Sequence, residues 1–204
     1  MYLSCLDLEG VLVPEIWISF AEETGIRELR LTTRNISDYD ALMKKRIGIL
    51  RDHGLKLKDI QNTIEKIEPL PGAKSFLDKL RALNQAIILS DTFVEFAKPL
   101  MIKLGMPVIF CNSLELSEDG YITGYRLRQA NGKFHAVKAL QSIGFKVIAF
   151  GDSFNDLDMI KQAETGFLFR PPKLIEEEYS HIKSHTDYDA LYKDIERLIT
   201  ANGN

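Results

Sequence analysis

The stretch Val147-Ile148-Ala149-Phe150-Gly151-Asp152-Ser153-Phe154-Asn155-Asp156 governs how this chain is read. An apolar run stops abruptly at two acids four residues apart. Such a run is the pattern of a buried parallel strand that delivers carboxylates to the carboxyl edge of a sheet. The N-terminus repeats the arrangement, with Leu3-Ser4-Cys5-Leu6 leading into Asp7-Leu8-Glu9-Gly10-Val11. Open α/β sheets bind their ligands at that edge. Carboxylates converging there repel one another unless a hard cation lies between them, and an octahedral oxygen site suits Mg²⁺. The two segments together predict a metal-dependent site at the top of an α/β sheet.

Between these strands the texture changes at Pro14. Ile16, Trp17, Phe20 and Ala21 recur at helical spacing, and Gly25 stops them. A second amphipathic stretch runs from Asp38 to His53, and a third opens at Leu57 and continues through Ile64 and Ile67. Three helical segments in succession break strict β-α alternation, so residues 14–70 read as an inserted helical cap. Pro69-Leu70-Pro71-Gly72 marks the return to a core made of residues 1–13 and 71–204. Alternation then resumes: a helix through Leu83, the run Ala86–Leu89, a helix from about Phe93 to Leu104, and Val108-Ile109-Phe110. Leu114 to Leu127 reads as a β-hairpin turning at Ser117-Glu118-Asp119-Gly120. The expected fold is α/β: a Rossmann-like parallel sheet flanked by helices, with a small helical cap and a β-hairpin.

Bulk properties narrow the classes. The 204 residues are 45% hydrophobic and 27% charged, the balance of an ordinary globular chain. A net charge of −3 offers no attraction to nucleic acid or an anionic membrane. Neither a signal segment nor a run of about 18 apolar residues is evident, so the expected location is cytoplasmic. Cys5 and Cys111 sit in apolar contexts and read as reduced, buried thiols. Small-molecule substrates are the expected partners, and a homodimer is left open.

Four segments carry chemistry. Asp7 can attack phosphorus and form an aspartyl-phosphate, and it can also ligate Mg²⁺. Glu9, two residues on, is placed to protonate a leaving oxygen and later to deprotonate water. Ser90 follows an apolar run before a helix, where it serves either as an N-cap or, with the helix's free N–H groups, as a phosphate site. Lys133, after the turn-like Asn131-Gly132, can neutralise a phosphoryl oxygen. Asp152 can reach a metal from its strand end, Asp156 can hold it through water or orient the lysine, and Asn155 can fix the same loop.

An acid pair, then a serine after a strand, then a lysine, then Gly-Asp-x-x-Asn-Asp: this order resembles the motif series of the haloacid dehalogenase-like hydrolase superfamily. The resemblance spans nearly the whole chain and is strongest to the phosphoserine phosphatase branch, which inserts a small helical cap after its first motif. It implies that Glu15 holds the substrate ammonium, that Arg46 holds its carboxylate, and that Tyr39 walls the cap. It further implies that Asp91 and Asn155 line the substrate site and that Mg²⁺ is held by Asp7, the carbonyl of Glu9, Asp152 and Asp156. Two departures stand out: the second acid is Glu9 where the family usually has aspartate, and Asp91 follows Ser90 where it usually has a small residue. Asp-Leu-Glu-Gly-Val-Leu-Val-Pro-Glu with Leu-Ser-Asp-Thr-Phe is similar to the ThrH-type members, which implies transfer of the phosphoryl group from phosphoserine to homoserine as well as hydrolysis. Phosphatases of sugars or nucleotides are the alternative within the family. A receiver-type phospho-aspartate signalling domain is the alternative outside it, disfavoured by an aspartate on the first strand and by the helical insertion.

Overall fold

Strand β1 (Tyr2–Leu6) is buried along its whole length and lies at the centre of a seven-stranded sheet. The computed structural model describes residues 1–32, 35–36 and 38–201. The strands are β2 (Gln85–Phe93), β3 (Val108–Leu116), β4 (Ile122–Arg126), β5 (Lys146–Gly151), β6 (Thr165–Phe169) and β7 (Ser184–His185), in the order β4-β3-β2-β1-β5-β6-β7. All neighbours are parallel except β3 and β4, which form the expected antiparallel hairpin. Its turn is closed by Gly120 N–H donating to the Ser117 carbonyl.

Strand alternation divides the core into two layers. Leu6, Ile148 and Phe150 face one layer, and Leu3, Cys5, Val147 and Ala149 face the other. The first layer is packed by helices α4 (Ala73–Leu83), α5 (Val94–Lys103) and α9 (Tyr188–Ala201); the second by α6 (Gly132–Ser142), α7 (Leu157–Gln162) and α8 (Lys173–Glu178). In α4, Ala73, Phe76, Leu77 and Leu80 are buried at the i, i+3, i+4, i+7 spacing of an amphipathic helix. Cys5 is buried and Cys111 only half-buried, and both are free. Burial pushes the Cys5 thiol up to about 12, which disqualifies it as a nucleophile at neutral pH.

Within residues 14–70 the described chain forms α1 (Ile16–Thr24), a 3-10 turn at Arg27–Arg30, α2 (Tyr39–Asp52) and α3 (Leu57–Ile64). Positions 33, 34 and 37 of the expected cap lie outside the described residues. Gly25 ends α1 in the left-handed conformation, and the Asp38 carboxylate caps α2 by accepting from the N–H groups of Asp40 and Ala41. These helices share one apolar cluster with the sheet, in which Phe20, Met43 and Ile60 are grouped with Phe96 and Leu100. Lys103 Nζ donates to the carbonyls of Glu65 and Ile67 at 2.9 and 2.8 Å, which ties the end of this segment to α5.

Three expectations change. Strand β2 runs on through Ser90 to Phe93, and α5 starts only at Val94, so Ser90 neither caps a helix nor borders a helical N-terminus. A register shift between Leu89 and Phe93 in the pairing with β3 accounts for the added strand. After β5 the sequence predicts a helix from Asn155 to about Ala163; the chain instead enters it through a 3-10 turn (Phe154–Asp156), with α7 following. Finally, the sequence predicts a strand at Gly166–Phe169 and a helix over residues 187–200 with no element between them, whereas α8 and β7 lie there, pieces too short to carry a periodicity.

Candidate active site

Asp7 leaves the end of β1 with its N–H donating to the Phe150 carbonyl at 3.1 Å, which pins it beside the end of β5. These strand ends flank the reversal in strand order, where open sheets form their binding crevice. One oxygen, Oδ1, accepts from the Leu8 N–H at 2.7 Å and lies 2.9 Å from Lys133 Nζ. Burial first, and then the nearby Asp156 carboxylate, hold the Asp7 carboxyl well above the ordinary aspartate range, with Lys133 opposing them.

Lys133 lies in the first turn of α6 and is buried. Its Nζ stands 2.7 Å from Asp156 Oδ1, 2.9 Å from Asp7 Oδ1 and 3.7 Å from Asp91 Oδ2. Burial alone would lower its pKa; Asp156, Asp7 and Asp91 together raise it well above the ordinary lysine value. The amine is therefore a permanent cation in the site. Asp156 is fully buried, and its other oxygen accepts from the N–H groups of Asp152 and Ser153 at 3.1 and 3.0 Å and from the Ser153 hydroxyl at 3.1 Å. One carboxylate thus fixes both the lysine and the loop after β5.

Asp7, Asp152 and Asp156 each offer an oxygen within 4.8 Å of the others, all three buried. Buried hard oxygen donors that repel one another fit a divalent cation such as Mg²⁺. Two glycines make this convergence sterically possible. A Cβ on Gly151 would lie 2.3 Å from Asp156 Cγ, and one on Gly10, whose φ is +77°, would lie 2.4 Å from Asp152 Oδ2. Gly10→Ala is accordingly expected to displace Asp152, weakening Mg²⁺ affinity at least about 10-fold. Calorimetric titration with the ion checks this, and unchanged affinity would refute it.

The Glu9 carboxylate is not one of this clustered set: Oε2 accepts from the Ile16 N–H at 2.8 Å, at the start of α1. Burial, and after it the neighbouring Glu15, push its pKa up to about 8, which shifts the balance toward the protonated form. Ser90 is buried, with Oγ accepting from the Thr92 N–H at 3.2 Å. Asp91 accepts from Asn155 Nδ2 at 2.7 Å, and its carbonyl accepts from the Tyr39 hydroxyl at 3.3 Å and from Asn112 Nδ2 at 3.1 Å. The extra acid of this chain is thus tethered to Asn155 and to α2.

Arg46 is buried, with its guanidinium 4.5 Å from the Trp17 ring centroid and Nη2 donating to the Leu31 carbonyl at 2.8 Å. Burial lowers its pKa to about 10, against the pull of Glu9, Tyr39 and Glu15. Asp7, Glu9, Glu15, Tyr39, Arg46, Ser90, Asp91, Lys133, Asp152 and Asn155 all line one cavity of about 270 Å³. Asp156 stands behind it, holding Lys133. An adjoining cavity of about 620 Å³ shares the wall formed by Tyr39, Asp91, Lys133, Ser153 and Asn155. Thr92 also lines the smaller cavity and had no role in the sequence reading. Thr92 lies past the apolar run Ala86–Leu89, in the part of β2 that no periodicity marks, so nothing local singled it out.

Comparison with known proteins bears on this geometry. The chain is 50% identical over 194 residues to phosphoserine phosphatase ThrH of Pseudomonas aeruginosa, covering 95% of each chain. It is also 50% identical over 192 residues to a phosphoserine phosphatase of Pseudomonas syringae pv. tomato, covering 94% of this chain and 81% of that protein. Its fold matches the crystal structure of phosphoserine phosphatase from T. onnurineus with a TM-score of 0.74 at 25% identity, over 96% of this chain and 94% of that one. The family model for the haloacid dehalogenase-like hydrolases matches residues 5–164. An aspartate ending the first strand, a buried lysine and two acids after β5, set in that sheet and covered by that match, belong together: this chain is a member of the haloacid dehalogenase-like hydrolase family.

Proposed function

We propose that this protein is a Mg²⁺-dependent phosphoserine phosphatase that works through an aspartyl-phosphate on Asp7 and also passes the phosphoryl group to homoserine. One observation carries the reading. A single cavity joins a nucleophile, a buried cation and metal-binding acids to Glu15 and Arg46, the pair suited to an amino acid's ammonium and carboxylate. Relatives named as phosphoserine phosphatases at 50% identity support it.

Mg²⁺, which Asp7, the Glu9 carbonyl and Asp152 would hold with Asp156 behind them, supplies positive charge against the repulsion between carboxylate and phosphate. The chain's own residues do the rest. Asp7 attacks phosphorus, so that its O–P bond forms as the bond to the serine oxygen breaks. Glu9 gives its proton to that oxygen. The Glu9 carboxylate then takes a proton from water, or from the hydroxyl of homoserine, as that oxygen attacks phosphorus and frees Asp7. Ser90 and Lys133 hold the phosphoryl oxygens, and residues 14–70 act as the cap that excludes bulk water.

Phosphate release from a panel of phosphoamino acids, phosphosugars and nucleotides with Mg²⁺, each with and without homoserine, tests the assignment. Selective turnover of phosphoserine and formation of phosphohomoserine are expected. Preference for a phosphosugar would overturn the substrate while leaving the chemistry standing. In the same assay Arg46→Ala is expected to raise the KM for phosphoserine about 10- to 100-fold with a much smaller change in kcat.

A further inference from the structure

Among the described residues, four buried side-chain nitrogen or oxygen atoms have no hydrogen-bond partner: Arg46 Nε, Thr92 Oγ1, His185 Nε2 and Asp194 Oδ2. The last two face each other at 3.0 Å. The remaining two belong to residues lining the same 270 Å³ cavity, although they come from α2 and β2, far apart in sequence. Thr92 is 4% exposed and Arg46 7%. Leaving a buried donor unsatisfied costs free energy, and such atoms at a site are commonly completed by what binds there.

We propose that Thr92 is a substrate-binding residue whose hydroxyl donates to the carboxylate of the bound amino acid, alongside Arg46. This rests on the phosphoserine reading above and adds a residue to it. Both orphaned atoms are donors, and a carboxylate offers enough lone pairs to accept from both. Contacts on either side of Thr92 tie it to the assembly that carries Arg46. On one side, the Asp91 carbonyl accepts from Tyr39 of α2. On the other, the Phe93 ring meets Phe96 edge-on, Phe96 meets Trp17, and Trp17 lies against the Arg46 guanidinium. The phosphoryl end of the substrate already has Ser90 and Lys133 as partners.

Thr92→Val removes the hydroxyl and keeps the shape, so it separates binding from structure. Three quantities are measured: the unfolding temperature without ligand, inhibition of phosphoserine hydrolysis by L-serine, and inhibition by inorganic phosphate. Expected are an unchanged or higher unfolding temperature, serine inhibition weakened about 10-fold, and phosphate inhibition as in wild type. Thr92→Ser, which keeps the hydroxyl, is expected to retain serine inhibition. If the valine variant does not fold, Thr92→Ala supplies the same comparison. Undiminished serine inhibition without the hydroxyl, or a loss confined to phosphate inhibition, overturns the proposal. A wild-type enzyme that ignores both phosphoserine and serine overturns the substrate reading itself, which is a separate outcome.

Discussion

Asp7→Asn is expected to lower kcat by at least about 10⁴-fold and to abolish the phosphoryl adduct that mass spectrometry of acid-quenched wild-type enzyme would detect. The amide is isosteric with the carboxylate, so the hydrogen bond to the Leu8 N–H and the position beside Phe150 have no steric reason to change. What disappears is the nucleophile and one charge. Stability should not fall with activity, because Lys133 keeps its 2.7 Å contact with Asp156 and a source of repulsion is gone. Chelator-treated wild type and variant unfolding at similar temperatures, with only the wild type active once Mg²⁺ returns, is the predicted pattern. Turnover near the wild-type rate in the variant would end the aspartyl-phosphate reading.

The second large effect belongs to Lys133. Lys133→Met keeps much of the apolar stem but leaves Asp7 and Asp156 buried without their cation. Breaking a buried pair by removing one partner costs about 3–5 kcal/mol, and loss of a charge facing the reacting phosphoryl group costs roughly 10²–10³ in rate. Both losses are expected together, the first in chemical denaturation under chelator and the second in kcat. Added Mg²⁺ should stabilise the variant more than the wild type, because it restores positive charge among the same acids. A variant as stable as wild type under chelator would mean that the lysine does not carry the balance of charge described here.

Much of the site could be read along the chain because its strongest signals are local. An apolar run ending in acids already specifies strand, burial and edge, so β1 with Asp7 and β5 with Asp152 and Asp156 lie where the pattern put them. Helical spacing and the stops at Gly25 and Pro69–Gly72 likewise placed α1, α2 and α3. Ser90 was harder. Its apolar run is local, but whether strand or helix follows depends on pairing with β3, a segment nearly twenty residues away, and that pairing shifts register there. Arg46 poses the same problem on a helix, since a cation at that spacing looks solvated until Trp17 and the Leu31 carbonyl are seen against it.

The sequence by itself determined the α/β class, the central strands, the run of helices between β1 and α4 and which acids and lysine end up together, because periodicity and strand-end chemistry act between residues close in the chain. Only the tertiary structure decided which of these charges touch, that Asp156 holds the lysine, that the Glu9 carboxylate is buried and hydrogen-bonded at the start of α1, and that Thr92 and Arg46 share one cavity with donors unspent. Those outcomes depend on desolvation and on distances of 3–4 Å between segments far apart in sequence, and no local pattern encodes either.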